Sequence, residues 1–260
     1  MSSNPSWQPH SEAHAKLRES KEYQDELKYL YRTRDSFVTT FAAVTLYSSR
    51  SPCLNGKSLL FGDASDILES ALSYPPMVEE GILNAPRREL RYVLETVCTH
   101  FYVDQNNFNR PLTGKIAFLE SLGRQPKIEL LAQLKFAAFD DTTKASFVND
   151  VSQLYSYLCG YVHPSVQQFE ERARRGAGGR PSGFEGVEDL KRVNRDIFRT
   201  LEIVLAMYFH ALSMSLTGDI FIQVLDDLKT WNFHKGRWCT AVSRTFDYKI
   251  ERKRTGMVAP

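Results

Sequence analysis

Apolar residues recur at intervals of three and four along nearly the whole chain, which is the spacing of helices with one buried face. The clearest stripe follows Pro86 and comprises Leu90, Val93, Leu94, Val97 and Phe101. A second stripe ends directly before His163 and comprises Phe147, Val151, Leu154, Leu158 and Val162. Strand-like alternation is weak throughout. The sequence therefore predicts an all-α protein, a single multi-helix bundle that occupies residues 1–260 as one domain.

Composition limits the classes of function. Apolar residues make up 42% of the 260, enough for a packed core, and 25% are charged, which is usual for a soluble protein. The net charge of +2 excludes a globally basic nucleic-acid binder, so any such surface must come from local clustering. The longest apolar run, residues 203–216, carries a histidine and serines and is short for a bilayer span. It predicts a buried core helix, and we expect no membrane contact.

The cysteines and the first residues predict a location. Cys53, Cys98, Cys159 and Cys239 stand far apart and do not form the dense pattern of a disulfide scaffold. The N-terminal segment has no apolar signal-peptide core. Both observations favour the reducing cytoplasm. We find no spacing typical of a metal site or a cofactor fingerprint, and we expect neither group.

A segment rich in glycine and arginine follows the second stripe. Residues 172–186 contain five glycines and four arginines, which predicts a long, mobile basic loop rather than a helix or strand. Its arginines are candidates for RNA contacts, because arginines on a flexible segment can follow phosphates in many geometries: Arg172, Arg174, Arg175 and Arg180. Residues 249–260 are expected to form a charged tail.

Two places carry residues that are able to do chemistry. Arg88, Arg91 and Glu95 follow one another at helical spacing, so they share a face beside the first apolar stripe. They form either an ordinary surface ion pair or part of a site.

Pro164 disfavours helix at His163, which places this histidine at a helix end or in a kink. There it suits acid–base work or anion binding, or it caps the helix by bonding the last carbonyls.

The combination of RRELRYVLETVCTHFYVD with a later YSYLCGYVHPS resembles bacterial members of the HEPN superfamily, over about residues 86–165. The resemblance implies a helical bundle from abortive-infection or toxin–antitoxin systems. Many such proteins are metal-independent ribonucleases that act as homodimers, with an arginine four to six positions before a histidine. His163 falls at the histidine position. The arginine is missing, because positions 157–159 hold Tyr157, Leu158 and Cys159.

Two interpretations follow. In the first, an HEPN-like module binds RNA or a partner protein in a bacterial defence or stress context and cuts nothing. In the second, a metal-independent ribonuclease uses a displaced site made of His163, Arg91, Glu95 and Arg88, because cleavage without a metal needs both a base and cationic help for the phosphate. The missing arginine favours the first. A homodimer is possible under either interpretation.

Overall fold

The computed structural model describes residues 8–123, 128–178, 183–225 and 230–246, and within these ranges the chain forms helices and no strand. The α-helices there are α1 (Gln8–Glu19), α2 (Lys21–Ser48), α3 (Leu59–Gly62), α4 (Ala64–Glu79), α5 (Asn84–Asn106), α6 (Leu112–Ser121), α7 (Asp141–Cys159), α8 (Val166–Ala177), α9 (Val187–Ala211), α10 (Met214–Ile220) and α11 (Arg237–Arg244). Short 3₁₀ turns occupy Ile128–Gln133 and Asn232–Lys235, and a π turn occupies Phe221–Leu225. The all-α prediction is confirmed.

Helix α9 forms the centre of the bundle, and every residue from Thr200 to His210 is buried. Helices α2, α5 and α11 pack on it, α4 packs on α2 and α5, and α7 packs on α5. Their apolar side chains join in one contiguous core. The predicted core helix at 203–216 is confirmed as far as Ala211, where α9 ends. None of the helices in the described ranges is both long and apolar enough to cross a membrane.

Side-chain caps set where several helices begin. The hydroxyl of Ser20 accepts a hydrogen bond from the Tyr23 amide at the start of α2, and the carboxylate of Asp140 accepts one from the Thr143 amide, at 2.7 Å, at the start of α7. Ser165 caps α8 in the same way. Such caps satisfy amides that have no partner within the helix. The Ser165 cap also fixes the C-terminal end of the connection that contains His163.

The predicted basic loop at 172–186 is wrong for its first part, because α8 continues to Ala177. Two forces favour helix there. Ser165 supplies the cap, with its hydroxyl 3.2 Å from the Gln168 amide, and arginine is a good helix former. Of the glycines in this range, Gly176 lies in the last turn of α8 and Gly178 is its C-cap. Residues 179–182 of the predicted loop, including Arg180, and the predicted tail at 249–260 lie outside the described residues.

Candidate functional site

Helices α5 and α7 lie side by side, and α5 turns Arg88, Arg91 and Glu95 toward α7. The Arg91 guanidinium lies 2.9 Å from the Glu95 carboxylate and donates to the Tyr155 hydroxyl at 2.8 Å. Burial raises the pKa of Tyr155 to about 12, so its hydroxyl stays neutral at physiological pH. Because Arg91 already has an acidic partner and an aromatic one, its charge is largely engaged within the protein.

Arg88 reaches the connection that carries His163. Its Nε donates to the backbone carbonyl of Tyr161 at 2.8 Å, two residues before the histidine. His163 itself lies four residues beyond Cys159, the last residue of α7, and its side chain is exposed. Among the described residues, no hydrogen bond or ion pair joins its imidazole to Arg88, Arg91 or Glu95. The structure thus brings the arginine face and the histidine segment together without connecting their side chains.

The capping role considered for His163 falls to other residues. Gln168 of α8 donates from Nε2 to the carbonyl of Gly160 at 2.8 Å and to the carbonyl of His163 at 3.1 Å. The Ser165 hydroxyl donates to the same Gly160 carbonyl at 2.5 Å. With Arg88 on Tyr161, these groups satisfy the carbonyls that follow α7. The imidazole is therefore left exposed beside α8.

A buried polar network lies beneath α8, and sequence reasoning missed it. Arg87 is only 3% exposed, and its Nε lies 2.7 Å from the Asp196 carboxylate of α9. The Nη1 atom of Arg87 lies 3.8 Å from the Glu171 carboxylate of α8, and the guanidinium stacks over the Tyr161 ring. The Tyr161 hydroxyl donates to Glu171 at 2.6 Å, and the Tyr157 hydroxyl donates to Asp196 at 3.2 Å. Burial raises the pKa of Asp196, which the adjacent guanidinium opposes.

One sequence signal points to this network. Arg87 stands three positions before Leu90 and seven before Leu94, so it lies in register with the apolar stripe of α5. A charged residue on a buried stripe predicts a buried partner. The identity of that partner depends on how α8 and α9 are placed, which spacing within α5 does not reveal.

Helix α8 is attached to the bundle by its polar face. Gln167 donates to the Tyr161 hydroxyl at 2.8 Å, Glu171 accepts from the same hydroxyl, and Gln168 is the one buried residue recorded for the helix. The opposite face carries Val166, 73% exposed, and Phe169, 69% exposed, followed one turn later by the exposed Ala173. A surface helix of a globular protein normally faces the core with its apolar side. Helix α8 has the opposite orientation, since its polar side faces the bundle and its apolar side faces solvent.

We call Val166, Phe169 and Ala173 the outer stripe of α8. Helical spacing places Arg172 and Arg174 on its two sides, and both side chains are exposed. Arg172 donates to the Gln168 carbonyl of its own helix, at 3.2 Å. Within the described ranges, no carboxylate pairs with Arg172, Arg174 or the half-buried Arg175. The outer stripe is therefore an apolar ridge bordered by two arginines and by the exposed Glu170.

His210 and Asp104 serve the fold. His210 bonds through Nδ1 to the Ala206 carbonyl at 2.7 Å, and burial lowers its pKa to about 4. Asp104 receives the Lys115 ammonium at 2.8 Å and the amides of Leu59 and Leu60, both at 3.1 Å. It therefore joins the start of α3 to α6. Across the described ranges, no three potential metal ligands cluster.

Comparison with known proteins gives no relative. No protein-family model matches the chain, and neither a curated protein nor a solved structure matches it. The resemblance to the HEPN superfamily, with the ribonuclease chemistry and the bacterial defence setting that it implies, stays a prediction.

Proposed function

We propose that this protein is a binding module that holds a protein partner on the outer stripe of α8 and catalyses no reaction. The observation that carries the proposal is the reversed orientation of the helix: Phe169 and Val166 face solvent, while Gln168 faces the bundle. Neighbouring exposed apolar side chains rimmed by polar ones are typical of protein interaction sites. Covering a side chain the size of Phe169 contributes about 2 kcal/mol, and aromatic anchors dominate many interfaces.

The test is site-specific photocrosslinking in the cells that make this protein. A benzophenone amino acid replaces Phe169 in one variant and Phe108, a half-exposed apolar residue outside α8, in a control. After irradiation, mass spectrometry identifies the adducts. We expect a defined protein adduct at position 169 that the control lacks. Equal adducts at both positions, or no protein adduct at 169, would contradict the proposal.

RNA binding is a second candidate, and the free charges of α8 favour it. Arg174 and Arg175 have no acidic partner in the described part of the chain, and Arg88 and His163 lie on the same side of the molecule. If these cations hold phosphates, the affinity for a fluorescent single-stranded RNA falls steeply as salt is added. In a plot of the logarithm of the binding constant against the logarithm of the salt concentration, each phosphate contact contributes about −0.7 to the slope.

The matched comparison for RNA uses two triple variants. Replacing Arg172, Arg174 and Arg175 by glutamine should reduce the salt slope by about two if RNA is the ligand. Replacing three exposed cations elsewhere should not: Arg50, Lys57 and Arg110. An RNA affinity that both triples lower equally, or that neither lowers, excludes α8 as an RNA contact.

The ribonuclease interpretation has less support from the geometry. Arg91 is bound to Glu95 and Tyr155, so it is not free to stabilise a phosphate in a transition state. We expect purified protein to leave labelled RNA intact in the presence of EDTA. Cleavage that disappears in His163→Ala would overturn the proposal of a module without catalysis.

A further inference from the structure

A groove between α4 and α5 has the properties that complement the outer stripe. Its volume is about 360 Å³, and its lining comprises Asp66, Glu69, Ser70, Ser73, Glu89 and Tyr92. Three of these residues are acidic, and within the described ranges no lysine or arginine pairs with them. Glu89 accepts a hydrogen bond from Ser70 at 2.6 Å, which leaves its charge uncompensated. The groove is therefore an acidic concavity.

The same groove also offers apolar surface. The ring of Tyr92 lines it and is 46% exposed. Leu72, also 46% exposed, does not line the groove but directly precedes Ser73, which does. Acidic side chains around two exposed apolar ones are the counterpart of arginines around Val166 and Phe169. Two arginines outnumber Glu170 beside the outer stripe, so its net charge is positive and complements the acidic groove.

We infer that the partner of α8 is a second copy of this chain, and that each copy inserts Phe169 into the α4–α5 groove of the other; this inference rests on the proposed function. Arg172 and Arg174 then lie against Asp66, Glu69 and Glu89. A copy cannot use its own groove this way, because the polar face of α8 is held to its own bundle by Gln168 and Glu171. The outer stripe therefore points away from the molecule that carries it.

The position of α8 on α5 suits a two-fold arrangement. Arg87 contacts α8 through Glu171, Arg88 contacts the segment before α8, and the next residue, Glu89, lines the groove. Helix α8 and the groove thus both lie against the first turns of α5. In a symmetric dimer the same two patches are used twice, once in each direction. The dimer interface then consists of two identical contacts, each with α8 of one copy in the groove of the other.

Sedimentation equilibrium of the full chain at low salt tests the inference, over about 1–100 µM protein, where weak dimers dissociate. We expect wild type to form dimers, and we expect Phe169→Glu and Glu69→Arg each to weaken association at least about tenfold, since each places a like or unpaired charge in the contact. Phe108→Glu, on an apolar residue outside both patches, should leave it unchanged. Circular dichroism of each variant checks the fold.

Mixing the two variants gives the decisive measurement. A Phe169→Glu copy retains an intact groove, and a Glu69→Arg copy retains an intact α8, so one of the two contacts forms in the mixed pair and neither contact is intact in either variant alone. We expect the mixture to associate more tightly than each variant by itself. A mixture no tighter than its components, or a wild type that stays monomeric, overturns the inference.

The outcome separates this inference from the proposed function. If wild type is monomeric while position 169 crosslinks to a different protein, the second copy is excluded and the binding module stands. If position 169 yields no protein adduct, including one at twice the mass of the chain, both proposals fail. Association that depends on Phe169 but not on Glu69 would show that the outer stripe is part of the dimer contact and would exclude the α4–α5 groove as its acceptor.

Discussion

Helices α8 and α9 bury opposite kinds of residue. In α9 an unbroken run from Thr200 to His210 is buried, most of it apolar. In α8 the buried residue is Gln168, and the large apolar side chains face solvent. The first helix is held by removal of apolar surface from water, and the second by hydrogen bonds and one buried ion-pair network. A helix that is held by its polar side leaves its apolar side available.

The largest expected effect comes from the same substitution made in both helices. Phe209 is 1% exposed and Phe169 is 69% exposed. Phe209→Ala should lower the free energy of unfolding by about 3–5 kcal/mol, because it opens a cavity in the core. Phe169→Ala should change it by less than about 0.5 kcal/mol. Urea denaturation measures both, and similar losses would show that the outer stripe is packed rather than free.

Breaking the network beneath α8 should come next in size. Arg87→Met leaves Asp196 and Glu171 without their cation, which should cost about 3 kcal/mol of unfolding free energy. Arg88→Met on the same helix removes an exposed side chain and its hydrogen bond to the Tyr161 carbonyl, and should cost only about 1 kcal/mol. Hydrogen exchange should speed up in α8 for the first variant only. Unchanged exchange in α8 would contradict the attachment proposed for it.

Glu202, a buried acidic residue of α9, gives a pH-dependent effect of intermediate size. Glu202 accepts hydrogen bonds from the amides of Trp238 and Cys239, at 2.5 and 3.2 Å, and thereby caps α11. Burial raises its pKa to about 7 from an ordinary 4.5. The folded protein therefore keeps the proton that the unfolded chain releases above its own pKa. The stability from Glu202 is fully present below about pH 4.5 and is lost as the pH rises through about 7.

Glu202→Gln removes this titration. From about pH 5 to pH 8, wild type should lose about 2 kcal/mol of unfolding free energy relative to the variant. The measurement is urea denaturation across that range, with Asp140→Asn as a control, since Asp140 is an exposed cap whose pKa is lowered by its hydrogen bonds to Thr143. A difference between Glu202→Gln and wild type that is constant with pH would show that Glu202 is ionised in the folded state.

The smallest effect concerns the buried amide of α8. Gln168→Ala removes two hydrogen bonds to the carbonyls of Gly160 and His163, and should cost about 1 kcal/mol. Because the core is untouched, the loss should appear as faster amide exchange confined to α8. Gln24→Ala, which removes a similar side-chain bond to the Arg18 carbonyl, is the matched control. Faster exchange across the whole bundle would mean that α8 supports the core after all.

Apolar periodicity was sufficient for α9 and for the stripes of α5 and α7, because it reports which side chains leave water. It failed for α8, where five glycines and four arginines between 172 and 186 indicate a loop by composition. What makes α8 a helix is the Ser165 cap and the anchoring of Gln168 on another segment, and the second of these is a tertiary contact. The approach of Arg88 to the His163 segment does not follow from spacing within either helix, since side-by-side packing of α5 and α7 depends on the whole bundle.

Because α8 is attached by its polar side, the residues that hold it on the bundle differ from those that it exposes for binding. Because Val166 and Phe169 are mostly exposed, we expect their replacement to change the amount of folded protein in the cell little. If the outer stripe is the binding surface proposed above, a mutational scan that records both abundance and partner binding should find positions 166, 169 and 173 tolerant in the first readout and sensitive in the second. Such a surface is able to change its recognition preference over generations while the scaffold that presents it stays intact.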